Sequence, residues 1–240
     1  MNLPHNTVHI WHYRLAEDSL DLACVSAEEA GNASRFVHAR HQQRYLATRC
    51  LLRQLLSRYA SIAPADWRFE VNAHGKPRIA AELEVPLTFN LSVTADQIAC
   101  AITSKQEIGV DIESRIPKDF WSIAESNFAV EERNWLAQAG EEQSGAETAA
   151  RDRFLVIWTL KEAYVKAIGT GLSTPLTDFC ILPIGSGSAQ LVYSHSDREP
   201  PLPWLFKRFR LPNGVPLSVA VQSSHPLKFE LRDFKLADPG

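Results

Sequence analysis

The chain has 240 residues, of which 45% are hydrophobic and 22% are charged, and its formal net charge is −3. This composition is ordinary for a globular protein and is sufficient for a hydrophobic core that needs no disulfide bonds or metal ions to stabilise it. The slightly negative charge argues against general nucleic-acid binding, although a local basic patch remains possible. Because no apolar stretch approaches membrane-spanning length and no basic, then apolar, leader opens the chain, we expect neither a membrane span nor a signal peptide.

The spacing of the cysteines bears on the redox environment of the protein. There are four, widely separated and without a CxxC pair: Cys24, Cys50, Cys100 and Cys180. Cysteines without metal-binding or redox-motif spacing are typical of reduced thiols packed in a core. We therefore expect four free thiols and a cytoplasmic protein.

The first half of the chain has the pattern of a helix packed against several strands. Loose alternation of apolar residues predicts a first strand over residues 8–15. A long helical pattern then spans residues 34–59 and ends before Pro64. The other predicted elements of this half are a capped turn or short helix at 26–31, strands at 67–71, 87–92 and 98–103, and a turn at Gly75-Lys76-Pro77.

The second half repeats this outline loosely, without a convincing sequence repeat. Helical patterns run over residues 121–139 and 149–168, and two glycines follow the second pattern, as expected where a helix ends. The predicted strands of this half cover 109–113, 178–182, 190–193, 205–210 and 217–222. We therefore predict an α+β fold of two similar halves, residues 1–106 and residues 107–240, with a cleft between them.

The strand Gly109-Val110-Asp111-Ile112-Glu113 carries two carboxylates. Because successive side chains of a strand alternate between faces, Asp111 and Glu113 point the same way, roughly 7 Å apart along the backbone. An Asp-x-Glu pair alone is usually a solvated face. Here the neighbouring residues are apolar, and two like charges on a largely buried strand would repel each other and be costly to desolvate. A bound cation would remove both problems.

The helix that spans residues 149–168 adds a third carboxylate. Glu162 and Lys166 are four residues apart and share a helix face with Trp158. Taken alone, this pattern indicates a surface ion pair beside a core tryptophan. Taken together with the acidic strand, it indicates a site in which three carboxylates and a lysine hold a hard cation against a phosphate.

The helix at 34–59 is basic along both edges of its apolar stripe. The arginines are Arg40 and Arg44 on one edge, and Arg49 and Arg53 on the other. Long side chains of this kind either extend along a helix edge toward water or clamp a phosphate through paired hydrogen bonds. Periodicity alone leaves both interpretations open.

Small hydroxyl side chains stand at the end of the strand at 87–92. They belong to Ser92 and Thr94 in the stretch Phe89-Asn90-Leu91-Ser92-Val93-Thr94. Hydroxyls and backbone amides at such a position either bind an anion or close a turn. The signal is weak when it stands alone.

These residues together resemble a known family. The acidic strand Gly109–Glu113, followed by the helix segment Trp158–Lys166, is similar to the paired signature of the 4′-phosphopantetheinyl transferases. The resemblance covers about Arg35–Leu182 and includes further motifs in the expected order, namely Arg44–Arg49 with Leu52-Arg53, Gly75-Lys76-Pro77, Phe89-Asn90-Leu91-Ser92 and Gly169-Thr170-Gly171-Leu172. The length matches the larger surfactin-synthetase-activating type, in which two similar halves of one chain form a pseudodimer. The resemblance thus implies a monomer.

The resemblance also implies a specific reaction. Members of this family move 4′-phosphopantetheine from coenzyme A to a serine hydroxyl of an apo acyl or peptidyl carrier protein and release adenosine 3′,5′-bisphosphate. The implied partners are coenzyme A and a carrier protein, and the implied cofactor is Mg²⁺. Neither nucleic acid nor a membrane is expected as a partner.

Each site residue has a role by this similarity. Asp111, Glu113 and Glu162 would bind Mg²⁺ at the pyrophosphate of coenzyme A. The residues that would contact coenzyme A itself are Arg44, Arg49, Lys76, Ser92, Thr94 and Lys166. Glu162 and Lys166 are the candidate catalytic residues, with Glu162 as general base, although a water molecule is an equally defensible base.

One position departs from the family pattern. The family usually has His after the Asn-x-Ser of the strand-end motif, where it contacts a phosphate, whereas this chain has Val93. Valine donates no hydrogen bond, so Ser92 or Thr94 would have to substitute in part. An alternative function is therefore that of a degenerate relative that binds coenzyme A or a carrier protein without transfer. The complete set of carboxylates and Lys166 opposes this alternative.

Overall fold

The structure is a computed structural model that describes residues 1, 3–15, 24–141, 146–193 and 202–234. The α-helices of these residues are α1 Ala27–Ala33, α2 Ala39–Leu56, α3 Phe120–Asn127, α4 Val130–Ala137 and α5 Ala146–Ile168. The strands are β1 Thr7–Arg14, β2 Phe69–Val71, β3 Pro77–Ile79, β4 Thr88–Val93, β5 Gln97–Thr103, β6 Ile108–Ile112, β7 Phe179–Ile184, β8 Ser188–Tyr193, β9 Trp204–Arg210, β10 Pro216–Gln222 and β11 Lys228–Asp233. None of the described helices combines the length and the apolar character that crossing a membrane requires.

The strands form two main sheets, and the prediction of an α+β fold is confirmed. The first sheet has the order β11-β1-β5-β4, and the second has the order β6-β10-β9. All neighbours within these sheets are antiparallel except β1 and β11, which are parallel. Two hairpins, β2-β3 and β7-β8, complete the described strands. The chain therefore returns at its C-terminal strand to the sheet in which it began.

Helix α2 packs on the first sheet through its apolar stripe. The stripe consists of Leu51, Leu52, Leu55 and Leu56, which are all at most 1% exposed. They pack against Trp11 of β1 and Phe89 of β4. Burial of each leucine contributes about 1.5–3 kcal/mol, so this stripe fixes the orientation of the whole helix.

Two predictions of the elements were wrong in detail. The predicted helix over 121–139 is broken into α3 and α4 at Phe128 and Ala129, because Phe128 turns into the core and the Glu132 carboxylate accepts a hydrogen bond from the Ala129 N–H at 2.8 Å. Helix α2 begins at Ala39 rather than at residue 34. Strands β3 and β11 were both missed, although the apolar residues of β11 alternate with polar ones.

The prediction of four reduced cysteines was also wrong. Cys24 and Cys50 form a disulfide, with their Cα atoms 5.9 Å apart, whereas Cys100 and Cys180 are free and buried. Helix α1 packs beside α2, which brings Cys24, three residues before α1 begins, to Cys50 of α2 at a separation that a disulfide accommodates. A gap of 26 residues in the sequence carries no sign of this packing.

Candidate functional site

Side chains of β4 join the two sheets. The Val110 N–H donates to Asn90 Oδ1 at 2.9 Å, and the Ile112 N–H donates to Ser92 Oγ at 3.3 Å. Strand β4 lies in the first sheet and β6 in the second, so no backbone hydrogen bonds of one shared sheet join them. The side chains of Asn90 and Ser92 accept hydrogen bonds from the β6 backbone instead. The seam between β4 and β6 therefore fixes Ser92 beside the acidic strand.

Helix α5 approaches β6 unusually closely at Gly109. A Cβ atom at this position would lie 2.0 Å from the carbonyl oxygen of Ala163 and 2.5 Å from the backbone nitrogen of Ala167. Only glycine permits this contact between helix and strand. The contact brings the face of α5 that carries Glu162 and Lys166 to the side of Asp111.

Asp111 is the centre of the cluster. It is 5% exposed, and its Oδ1 accepts from Lys166 Nζ at 2.6 Å and from Ser92 Oγ at 2.8 Å. Lys166 Nζ also donates to Ser92 Oγ at 3.1 Å. With the bond from the Ile112 N–H, the Ser92 hydroxyl uses its one donor and both of its acceptor sites. The cluster is thus a closed network that orients one face of Asp111 toward Lys166.

The other two carboxylates lie beside this network. The pKa of Glu162 is raised, first by burial and then by the negative charge of Asp111, while Lys166 opposes the rise and Glu113 adds to it. Glu113 Oε1 accepts from the Ser114 and Arg115 N–H groups, both at 2.8 Å. Across the part of the chain that the structure describes, no group of three His, Cys, Asp or Glu side chains is arranged to hold a metal ion. Lys166 supplies positive charge at Asp111 in this arrangement.

A groove of about 290 Å³ lies on the face of β4 that points away from the seam. Its wall on α2 is formed by His41, Arg44, Tyr45 and Thr48, which share one helix face at spacings of three, four and seven residues. Its other lining residues are Phe36, Arg49, Pro77, Leu91 and Val93. We call this space the α2 groove. Its surface is mainly apolar and includes the rings of Phe36 and Tyr45, and it is open at Val93, which is 36% exposed.

The arginines of α2 have different roles. Arg44 Nη1 donates to the Thr94 carbonyl oxygen at 3.5 Å, and the Arg49 guanidinium lies over the Tyr45 ring at 5.0 Å, so both remain at the groove. Arg53 is only 3% exposed and pairs with Glu29 at 2.9 Å. It therefore holds α1 against α2 and does not extend along a helix edge toward water.

Lys76 and Thr94 are engaged in the fold. Lys76 Nζ donates to the Ala167 carbonyl oxygen at 2.6 Å and to Glu107 Oε2 at 2.8 Å, which ties the β2-β3 hairpin to the end of α5. The Thr94 hydroxyl accepts from the Gln97 N–H at 3.2 Å and closes the turn between β4 and β5. The sequence left open whether the Thr94 hydroxyl binds an anion or closes a turn, whereas it gave no indication of the contacts of Lys76.

The structure thus gathers the predicted site residues into two places. Ser92, Asp111, Glu162 and Lys166 meet at the seam, with Glu113 at its edge, and Arg44 and Arg49 line the α2 groove. Sequence reasoning missed the structural roles of Asn90 and Gly109. Asn90 lies in the strand-end motif and Gly109 in the acidic strand, but the contact between β4 and β6 produces no pattern in a single sequence.

Comparisons with known proteins identify the family of this chain. A family model described as the 4′-phosphopantetheinyl transferase superfamily matches residues 107–220, and a model of the N-terminal part of a 4′-phosphopantetheinyl transferase matches residues 9–105. The two matches meet between β5 and β6, the strands that lead into the seam. They therefore cover both the groove and the carboxylates.

Similar characterised proteins include three bacterial enzymes. The chain is 31% identical to the 4′-phosphopantetheinyl transferase Sfp of Bacillus subtilis over 214 residues, which are 88% of this chain and 87% of that protein. It is 32% identical to HetI of Nostoc sp. over 72% of this chain and 73% of that protein, and 32% identical to gsp of Aneurinibacillus migulanus over 73% and 68%. The chain belongs to the 4′-phosphopantetheinyl transferase superfamily.

Proposed function

We propose that this protein transfers 4′-phosphopantetheine from coenzyme A to a serine hydroxyl of an apo acyl or peptidyl carrier protein and releases adenosine 3′,5′-bisphosphate. The observation that carries the proposal is the cluster of Asp111, Glu162 and Lys166 at the seam between β4, β6 and α5. It combines negative charge for a cation with a lysine that remains partly exposed for a phosphate. The names of the similar proteins support the same reaction.

In this proposal coenzyme A extends from the α2 groove to the seam. The groove offers Arg44 and Arg49 to phosphates and the rings of Phe36 and Tyr45 to a planar base. Lys166 lies on the far side of β4 and is positioned for the pyrophosphate. Lys76, Ser92 and Thr94 stay predicted contacts, since binding would have to compete with the hydrogen bonds that each already makes.

We propose that Asp111, Glu113 and Glu162 hold Mg²⁺ after their side chains draw together, since the structure does not itself arrange them as a metal site. The set consists only of carboxylate oxygens, which this hard cation prefers, and the charges of Asp111 and Glu113 both raise the pKa of Glu162. A divalent cation relieves this repulsion. When bound, Mg²⁺ would neutralise charge on the pyrophosphate as a Lewis acid.

The chain's own residues account for the remaining steps. Lys166 places a positive charge where negative charge collects on the phosphate oxygens, which favours the transition state electrostatically. Glu162 lies beside Asp111 and Lys166 and is the candidate general base for the serine hydroxyl, with a water molecule as the alternative base. We therefore assign Glu162 and Lys166 as the catalytic residues.

Several wider predictions accompany this proposal. The two halves would divide near residue 106 and form a pseudodimer, which the meeting of the two family matches at this point supports. A monomer in the cytoplasm, with neither nucleic acid nor a membrane as partner, remains our expectation.

The experiment that tests the proposal is a transfer assay. The protein is incubated with coenzyme A, Mg²⁺ and a panel of apo acyl and peptidyl carrier proteins, and the carriers are weighed by mass spectrometry. We expect at least one carrier to gain the mass of phosphopantetheine, and the gain to disappear when its acceptor serine is replaced by alanine. If coenzyme A binds but no carrier gains mass, the alternative of a non-catalytic relative is correct.

A further inference from the structure

The α2 groove contains an imidazole that no role assigned above uses. His41 stands one turn before Arg44 and Tyr45 on the same face of α2, and all three side chains line the groove. Across the groove lies Val93, at the strand end where the chain lacks the usual His of its family. The groove thus has its imidazole on the helix rather than on the strand.

The charges of the groove favour an anion beside His41. Its lining includes two arginines and His41 but no Asp or Glu. Glu29 is an acidic neighbour of one of these arginines, with its Oε1 3.9 Å from Arg49 Nε. Arg44 is held toward the strand end by the Thr94 carbonyl oxygen at 3.5 Å. A phosphate placed between Arg44 and Val93 would therefore be within the part of the groove that His41 also lines.

We propose that His41 is a phosphate-binding residue of this protein and supplies from α2 the hydrogen bond that Val93 does not make. This inference rests on the proposed function, because coenzyme A is the phosphate-bearing ligand. The His41 imidazole is exposed, and its ring contacts the His38 ring edge-to-face with the centroids 5.5 Å apart. Because this contact is between two rings, the His41 side chain can turn toward a ligand. The small side chain of Val93, on the side of the groove opposite α2, leaves space for the phosphate to approach.

The test is the affinity of coenzyme A for His41→Ala, measured by calorimetry without carrier protein. We expect the affinity of His41→Ala to be about tenfold lower than that of the unmodified protein. This is the lower end of the effect of losing a hydrogen bond to a charged group, because the site is exposed. In transfer assays, KM for coenzyme A should rise by the same factor while kcat is kept. The matched control is His38→Ala, which removes the neighbouring imidazole outside the groove lining and should leave both values unchanged.

Two further arms separate a phosphate contact from a loss of structure. Adenosine, which carries no phosphate, should bind both proteins equally, whereas adenosine 3′,5′-bisphosphate should bind His41→Ala more weakly. Val93→His should restore affinity in the His41→Ala background and should improve it less when His41 is present, since both imidazoles would serve one phosphate.

The outcomes are distinguishable. If His41→Ala binds coenzyme A and adenosine 3′,5′-bisphosphate as tightly as the unmodified protein does, the role of His41 is refuted and the transferase function stands. An equal loss for adenosine and its bisphosphate also refutes a phosphate contact. If the unmodified protein neither binds coenzyme A nor modifies a carrier, the proposed function fails, and the role of His41 fails with it.

Discussion

Single side chains at the seam illustrate how one residue can serve the fold and the site together. Ser92 donates to Asp111, accepts from Lys166 and also accepts from the backbone of β6. Replacing such a residue would affect the joint between the two sheets as well as any ligand. Variants at the carboxylates and at Val93 are therefore the more informative probes of the chemistry.

We predict that each carboxylate is needed for turnover. Asp111→Asn, Glu113→Gln and Glu162→Gln should each lower kcat on the order of 100-fold or more, if the bound metal contributes several kcal/mol to the transition state. The transfer rate at saturating coenzyme A measures this effect. Glu125→Gln, an exposed substitution on α3, is the control and should keep full activity. Unchanged turnover in excess chelator would contradict the metal site.

Val93 provides a gain-of-function prediction. Val93→His should tighten coenzyme A binding by at most about ten- to a hundredfold, because it adds a hydrogen bond to a charged phosphate. The valine is 36% exposed at an open groove, so the larger ring has room. Binding calorimetry and KM for coenzyme A measure the change. Weaker binding by a correctly folded variant would show that the strand end does not face a phosphate.

At the scale of elements, the decisive contact is that of β6 with α5. The glycine at the contact lets the helix backbone approach the strand, and the helix then delivers Glu162 and Lys166 to the acidic strand. A second contact, between α4, α5 and β7, holds the far side of the same helix. Here the Lys161 ammonium is fully buried and donates to both Glu132 oxygens at 2.6 and 2.7 Å.

Gly109→Ala should destabilise the protein by about 1–3 kcal/mol or more, because its Cβ would collide with the backbone of Ala163 and neither element can move without repacking. Activity should fall as well, since α5 would shift away from Asp111. Denaturant unfolding measures the loss. The control is Gly31→Ala in α1, where a Cβ meets nothing within 4 Å and should stabilise the helix by about 0.8–1 kcal/mol. Equal effects of the two variants would disprove the role of the close contact.

The buried pair Glu132–Lys161 should be intolerant of losing one partner. Burial raises the pKa of Glu132 and lowers that of Lys161, and the attraction between them opposes both shifts. Lys161→Met leaves the carboxylate without its counter-charge and should cost about 3–5 kcal/mol of unfolding free energy. Glu147→Gln breaks an exposed pair with Arg151 and should cost less than about 0.5 kcal/mol. A loss from Lys161→Met as small as that from Glu147→Gln would contradict this account.

At the scale of the whole molecule, the C-terminal strand ties the two ends of the chain together. Strand β11 pairs with β1, and Phe234 packs edge-on against Trp11 and Tyr13. Beneath it, the Trp11 indole donates to the Tyr59 hydroxyl at 2.7 Å, and this hydroxyl lies 2.7 Å from His9 Nδ1. The Tyr59 hydroxyl therefore links Trp11 to His9 in one buried hydrogen-bonded group.

This arrangement predicts how stability depends on pH. The pKa of His9 is lowered from its ordinary value, first by burial and then by the charge of Arg232. The unfolded chain therefore binds a proton more readily, so the stability from neutral His9 is present above about pH 6.5 and is lost as the pH falls below it. Unfolding free energies between pH 7 and 5 should fall less steeply in His9→Gln. The control substitution His74→Gln is exposed and should leave the dependence of the unfolding free energy on pH unchanged. An unchanged pH dependence in His9→Gln would contradict the role of His9.

The sequence by itself predicted which residues form the candidate site. Asp111, Glu113, Glu162 and Lys166 are recognisable because strand alternation and the four-residue helix repeat are local rules, and they place these side chains on common faces without reference to the rest of the chain. The same rules predicted most of the strands and the two long helices. The similarity of the motifs to one family then followed from residue type and order alone.

Only the tertiary structure decided which faces meet. The seam of Asn90 and Ser92 with β6, the disulfide of Cys24 with Cys50 and the return of β11 to β1 all join residues far apart in the chain. Such contacts depend on how sheets and helices pack after they form, and no local pattern encodes them. For the same reason the groove shared by His41 and Val93 is invisible in the sequence, where they stand 52 residues apart.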